Sequence, residues 1–210
     1  MHAKVDFKQT LDGYLAKRGE FRLLDVPEHS YLAVDGRGDP NVAPEYAAAL
    51  AALYPVAYTL KFASKREFGR DYVVPPLEGL WWADDMAAFT ASRDKSRWSW
   101  TMLLLVPEWL GDAAVAAALA AVGEKAPPSR LGDVELRTLS EGNCVQTLHV
   151  GSYDDEAPVL ARMHDEFMPA HGLAFAGTHH EIYLSDPRRA APDRLRTILR
   201  QPVRSTREQR

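Results

Sequence analysis

Phe21-Arg22-Leu23-Leu24-Asp25-Val26 and Tyr31-Leu32-Ala33-Val34, joined by Pro27-Glu28-His29-Ser30, decide how this chain is read. Two short apolar runs around a turn-like tetrapeptide predict a β-hairpin. The same plan returns about 113 residues later. There Val134–Leu139 and Cys144–Val150 predict a second hairpin, Glu141 falls opposite Glu28, and Gly151 falls opposite Gly38. A helix follows each hairpin. The first begins at Pro44, a residue suited to a first helical turn, and carries Tyr46, Leu50, Leu53, Ala57 and Leu60 at spacings of three and four. Pro55 is expected to bend or divide it. The second helix carries Leu160, Met163 and Phe167.

Two further strands complete each half. Tyr72–Trp82 and Trp98–Val106 flank a polar loop from Ala83 to Ser96, with Pro75-Pro76 at an edge or bulge. Asp112 is expected to cap a short helix before the second half. Thr178–Ser185 and Leu195–Val203 close that half. Strand–strand–helix–strand–strand, twice, predicts an α+β protein built from pseudo-twofold duplicated β-hairpin–α–β-hairpin units. Their antiparallel sheets would enclose a central ligand cleft. The domain reading is an N-terminal arm over 1–20, one domain over 21–203 with repeats near 21–125 and 129–203, and a flexible tail over 204–210.

Composition narrows the function. The chain of 210 residues is 46% hydrophobic and 26% charged, with a formal net charge of −4, so it lacks the basic balance of a nucleic-acid surface. The single cysteine, Cys144, cannot form an internal disulfide and lies in an apolar alternating stretch, which fits a reducing cytoplasm. No apolar stretch is long enough for a signal peptide or a membrane span, so a cytoplasmic location is expected. No G-x-S-x-G elbow, P-loop or dinucleotide fingerprint occurs, and His179-His180-Glu181 lacks metal-ligand spacing. No metal, cofactor or protein partner is expected.

Four of the five tryptophans fall in two candidate strands. Trp81 and Trp82 are adjacent and must point to opposite faces, while Trp98 and Trp100 share one. Core packing is the ordinary use of such residues; clustered, they also suit a wall that stacks planar or cationic molecules. Alternation places Ile182 and Leu184 toward the helix, leaving His179, Glu181 and Tyr183 for a ligand trough on the opposite face. A glutamate inside a strand is unusual. Glu181 is therefore the candidate base or cation-attracting group, and Glu78 its pseudo-symmetric counterpart.

Tyr72–Trp82, His180–Arg189 and the segment Cys144–Glu156 resemble the GyrI-like small-molecule-binding family, in its stand-alone branch. The resemblance implies a small hydrophobic or aromatic ligand in a central cleft; no helix-turn-helix segment or basic region is read in this chain, so a regulator role in a single chain is not expected. The resemblance also implies one of two activities: binding or sequestering alone, or hydrolysis of cyclopropane-bearing genotoxins. In the second, Glu181 would activate water, Tyr72 or Tyr183 would donate to the ligand carbonyl, and Trp81, Trp82, Trp98 and Trp100 would hold the planar ring, with Glu78 and His179 nearby.

Overall fold

The computed structural model describes residues 4–84, 94–124 and 126–206, so most of the loop expected between Ala83 and Ser96, and residues 207–210, lie outside the described residues. The chain divides into two compact units, each discontinuous in sequence. Unit 1 comprises Met1–Thr10 and His29–Leu139; unit 2 comprises Leu11–Glu28 and Ser140–Arg210. The strands are β1 (Arg22–Val26), β2 (His29–Arg37), β3 (Leu77–Trp82), β4 (Ser99–Val106), β5 (Glu135–Leu139), β6 (Gly142–Val150), β7 (Leu173–Phe175), β8 (His179–Tyr183) and β9 (Arg196–Ser205).

The protein is α+β with antiparallel strands and duplicated halves, as the sequence predicts, but the hairpins are paired differently. β1 does not turn back onto β2. It pairs with β6, with Val26 opposite Gly142, while β5 pairs with β2, with Leu139 opposite His29. The two halves have exchanged their first strands. The connections explain why: a two-residue hairpin loop needs positive φ at its centre, which Asn-Gly or Gly-Gly supplies. Here the links are Pro27-Glu28 and Ser140-Glu141. Proline holds φ near −65°. Neither link therefore closes a tight hairpin.

In unit 1 the order is β3-β4-β2-β5, and in unit 2 it is β1-β6-β9-β8, with β7 pairing the end of β9. α1 (Phe7–Thr10), α2 (Pro44–Glu67) and α3 (Asp112–Gly123) belong to unit 1. α2 starts at Pro44 and buries Ala49, Ala52, Leu53, Val56, Ala57, Leu60 and Ser64, one helical stripe. Pro55 does not divide it. The bond it forfeits belongs to the carbonyl of Ala51, which lies on the exposed side where water can serve it. Gly111, not Asp112, is the cap residue of α3. The strand expected from Tyr72 begins only at Leu77, because Pro75-Pro76 cannot donate to a ladder; Tyr72 makes one isolated bridge to Val5.

In unit 2, α4 (Ala157–Ala161) runs through a π-helical turn, Arg162–Phe167, into α5 (Met168–Ala170). Met163 and Met168 pack with Val145, Leu199 and Val203 of the sheet. β9 extends through Ser205, two residues into the stretch expected to be a tail.

Candidate functional site

The pairings fix which side chains share a face with a helix. In β3 and β4, Trp81 lies opposite Trp100, Gly79 opposite Met102, and Leu77 opposite Leu104, so these six share one face. Tyr46 of α2 marks it as the helix-bearing one: its ring stacks on Trp81 at 6.4 Å and stands edge-on to Trp100 at 5.3 Å. Trp98, just ahead of β4, stands edge-on to Trp81 at 5.8 Å. Three expected wall residues therefore come together around one tyrosine. Trp100 itself is 0% exposed, donates from Nε1 to the Gly38 carbonyl, and covers Gly36 so closely that a Cβ there would lie 2.0 Å from its ring. Trp100 is core, held by β2, and drops out of the ligand wall. Trp81, at 5% exposed, is almost as enclosed, while Trp98 keeps an accessible surface.

Glu78, Leu80 and Trp82 lie on the other face of unit 1, opposite Leu103, Thr101 and Ser99. Glu78 is fully buried. On the same face Arg137 grips both carboxylate oxygens of Asp35, at 3.0 and 2.9 Å, and the Thr101 hydroxyl donates to Asp35 as well. The hydrogen bonds from Arg137 lead the lowering of the Asp35 pKa, against the effect of burial. Tyr72 is elsewhere in unit 1. It is buried, edge-on to both Phe7 and Trp109, and burial pushes its phenol well above the ordinary range, so it stays un-ionised.

In unit 2 the face assignment reverses the expectation. Glu181 lies opposite Leu199, which packs beneath Met163 and Met168. Glu181, Tyr183 and His179 therefore stand on the helix-bearing face, and Ile182 lies on the other. Alternation assigns the apolar side of β8 to the helix, but the helix-free face of unit 2 is itself buried, with residues 11–18 bonded to it through the Gly13 and Leu15 carbonyls. The Glu78–Glu181 equivalence falls for the same reason: one points away from its unit's helix, the other toward it.

The Glu181 cluster is compact. The Tyr183 hydroxyl donates to Oε2 at 2.8 Å, and His179 Nε2 lies 3.4 Å from Oε1. The carboxylate side chain is 12% exposed. Tyr153 stands edge-on to Tyr183 at 5.6 Å. Burial first, then Glu156, Glu181 and Asp186, push its phenol up to about 12. Behind His179, 6.4 Å away and edge-on, lies His164 from the π-helical turn. Burial and the charge of His179 lower the His164 pKa to about 4.

One group had no reading from the sequence. Arg200 is 1% exposed on the helix-free face of unit 2. It donates to Gln146 Oε1 at 3.0 Å, to Glu141 Oε2 at 2.6 Å and to the Gly13 carbonyl at 2.6 Å. His180 Nδ1 meets the other Glu141 oxygen at 3.0 Å. Burial raises the Glu141 carboxyl, but His180 and Arg200 outweigh it and hold it at about 2. Arginine amid Ile198, Leu199 and Gln201 in a strand was the available signal, since buried arginine is rare unless paired. Cys144, buried nearby, has its thiol pushed up to about 12 by burial and by Glu141, which makes it inert.

Among the described residues, no group of three or more His, Cys, Asp or Glu side chains could hold a metal ion, and no helix is long and apolar enough to cross a membrane. On the face that bears its helix, unit 1 thus carries aromatic side chains and unit 2 both aromatic and polar ones, an arrangement suited to organic ligands. The GyrI-like small molecule binding domain family matches residues 19–204, and the chain belongs to it. An uncharacterized conserved protein from Listeria innocua is 40% identical, over 96% of this chain and 100% of that one, with a TM-score of 0.87. A hydrolase from Listeria innocua is 37% identical over the same shares, with a TM-score of 0.82. The C-terminal domain of EcmrR, 10% identical over 89% of this chain and 98% of that one, has a TM-score of 0.55 and shares the fold. No curated protein matches.

Proposed function

We propose that this small-molecule-binding domain takes planar hydrophobic compounds, cationic ones included, and hydrolyses those that carry an electrophilic cyclopropane. The observation that carries the reading is Glu181, a carboxylate on a helix-bearing face with one oxygen held by Tyr183 and a small accessible surface beside Tyr153. A carboxylate fixed in this way keeps one orientation and can take a proton without searching for it. The likeness to a hydrolase over nearly the whole chain supports the same choice.

In the reaction, Glu181 takes a proton from water as the water oxygen bonds to a cyclopropane carbon. The ring C–C bond breaks, and its electron pair passes through the conjugated dienone to the carbonyl oxygen, which becomes a phenolate and then a phenol by protonation. A donor at that oxygen lowers the barrier because charge develops there. Tyr183, which donates to Glu181 in the free protein, is the donor to test with Tyr183→Phe. Tyr183 and His179, the residues beside Glu181, are proposed as the ligand's polar contacts.

Glu181→Gln tests the proposal. It should bind a cyclopropane-bearing dienone within about threefold of wild type and lose turnover by roughly 10²–10⁴-fold, the usual worth of a general base. Binding by wild type with no ring-opened product would leave a sequestering protein instead.

A further inference from the structure

Tyr153 follows directly on a turn that has no freedom to vary. Gly151 has φ of +150°, and a Cβ on it would meet His149 Nε2 at 3.1 Å. The Gly151 amide donates to the Leu195 carbonyl at 3.0 Å, His149 Nε2 lies 2.9 Å from the Ser152 carbonyl, and the Ser152 hydroxyl donates to Asp155 at 2.7 Å. This turn delivers the Tyr153 ring to Tyr183, edge-on at 5.6 Å. The two phenols then differ in one respect. Tyr183 has committed its hydroxyl to Glu181. Tyr153, half-buried, makes no hydrogen bond through its hydroxyl among the described residues. A phenol fixed beside a site with its hydroxyl uncommitted is placed to meet a ligand, because a polar group that loses water without a partner costs about 1–3 kcal/mol.

We propose that Tyr153 is a specificity-determining contact of the Glu181 site, its hydroxyl oxygen accepting a hydrogen bond from an N–H group on a planar aromatic ligand. The charge around it decides between an N–H and an oxygen on the ligand. Glu156, Glu181 and Asp186 all act on the Tyr153 hydroxyl, and each opposes negative charge there. A ligand oxygen rich in electrons is repelled in that field, and a hydrogen carrying positive partial charge is attracted. The tyrosine remains neutral throughout the physiological range, so it can present a lone pair without becoming an anion. The inference rests on the reading that ligands occupy the Glu181 cluster, and it names the chemistry those ligands carry.

Carbazole and dibenzofuran provide the test: both are planar tricyclic molecules of nearly the same shape, one with N–H where the other has oxygen. Their own fluorescence reports binding to the full-length protein. Wild type should bind carbazole about fivefold more tightly, the worth of one net hydrogen bond. Tyr153→Phe should bring carbazole down to the level of dibenzofuran and move dibenzofuran by less than about twofold. Tyr153→Phe should unfold in urea at the midpoint of wild type, which guards against a general loss of packing. Equal affinities in wild type, or a preference that survives Tyr153→Phe, overturns the assignment while leaving ligand binding intact. Failure of wild type to bind either compound overturns the planar-ligand reading and this one with it.

Discussion

Units 1 and 2 share a strand plan and differ in what they place on each face. In unit 1 the helix-bearing face is aromatic, with Tyr46, Trp81 and Trp98 in contact, and the ion pair Arg137–Asp35 lies on the helix-free face with Arg137 one-third exposed. In unit 2 the helix-bearing face carries Glu181, His179, Tyr183 and Tyr153, and the ion pair on the helix-free face, Arg200–Glu141, is shut away from water. The two units share a backbone pattern and not a chemistry. The two ion pairs, similar in composition and opposite in burial, show how much the surroundings of a charge govern its worth.

Arg200→Ala should break that comparison most visibly. It would leave the Glu141 carboxylate buried with His180 alone, and strip partners from Gln146 and the Gly13 carbonyl. Removing one member of a buried pair costs about 3–5 kcal/mol. Urea unfolding should show a loss of that size. Replacing both charges, with Arg200→Met and Glu141→Leu together, should recover much of it, since an apolar pair carries no desolvation penalty. A loss below about 1 kcal/mol in the single variant would mean that the cluster holds nothing.

His164 offers a smaller effect with a defined pH window. Its folded pKa of about 4 lies below the ordinary 6.5, so the native state favours the neutral ring. Between those values the unfolded chain binds the proton more readily, and stability is lost as pH falls from about 6.5 toward 4. The loss from this one group is on the order of 2–3 kcal/mol. His164 Nε2 is buried with no hydrogen-bond partner among the described residues, so His164→Phe removes a titrating group without removing a hydrogen bond at that atom. Thermal melts of the variant should be flatter than those of wild type from about pH 6.5 down to about 4.5. Below about pH 4.5 both proteins should weaken, because Glu141, held at about 2, then begins to lose its charge in the unfolded reference.

Much of this was readable from the sequence, and the misses have physical causes. The duplicated order of strands and helices followed from apolar periodicity, and Pro44 marked the start of α2. The exchange of β1 and β5 was also within reach. Pro27-Glu28 and Ser140-Glu141 lack the residues a tight hairpin demands, a stronger signal than the turn-like composition that suggested hairpins. What alternation could not supply was direction. It separates Glu181 from Ile182 but says nothing about which side carries the helix, and here the helix-free face is as dry as the other. Partners distant in sequence stayed hidden as well: nothing local connects Arg200 with Glu141, and β7, at three residues, is too short to carry a period.

Arg137→Ala should produce the smallest change, and its smallness sharpens the contrast with Arg200. Arg137 is bidentate to Asp35 with Glu135 beside it, and judged by that geometry alone it would rank with Arg200. Water decides otherwise. With its side chain 33% exposed and that of Asp35 57% exposed, both charges are hydrated before and after folding, so the net gain is small. Asp35 also keeps its bond from the Thr101 hydroxyl when Arg137 is gone. The expected cost is at most about 1 kcal/mol at low ionic strength, shrinking as salt approaches about 1 M, where screening acts within roughly 3 Å. The Arg200 penalty should scarcely respond to the same salt, because no ions reach that pair. Parallel urea titrations of both variants at low and high salt measure the difference directly, and an Arg137 cost that equals the Arg200 cost and ignores salt would show that burial is not what separates the two units.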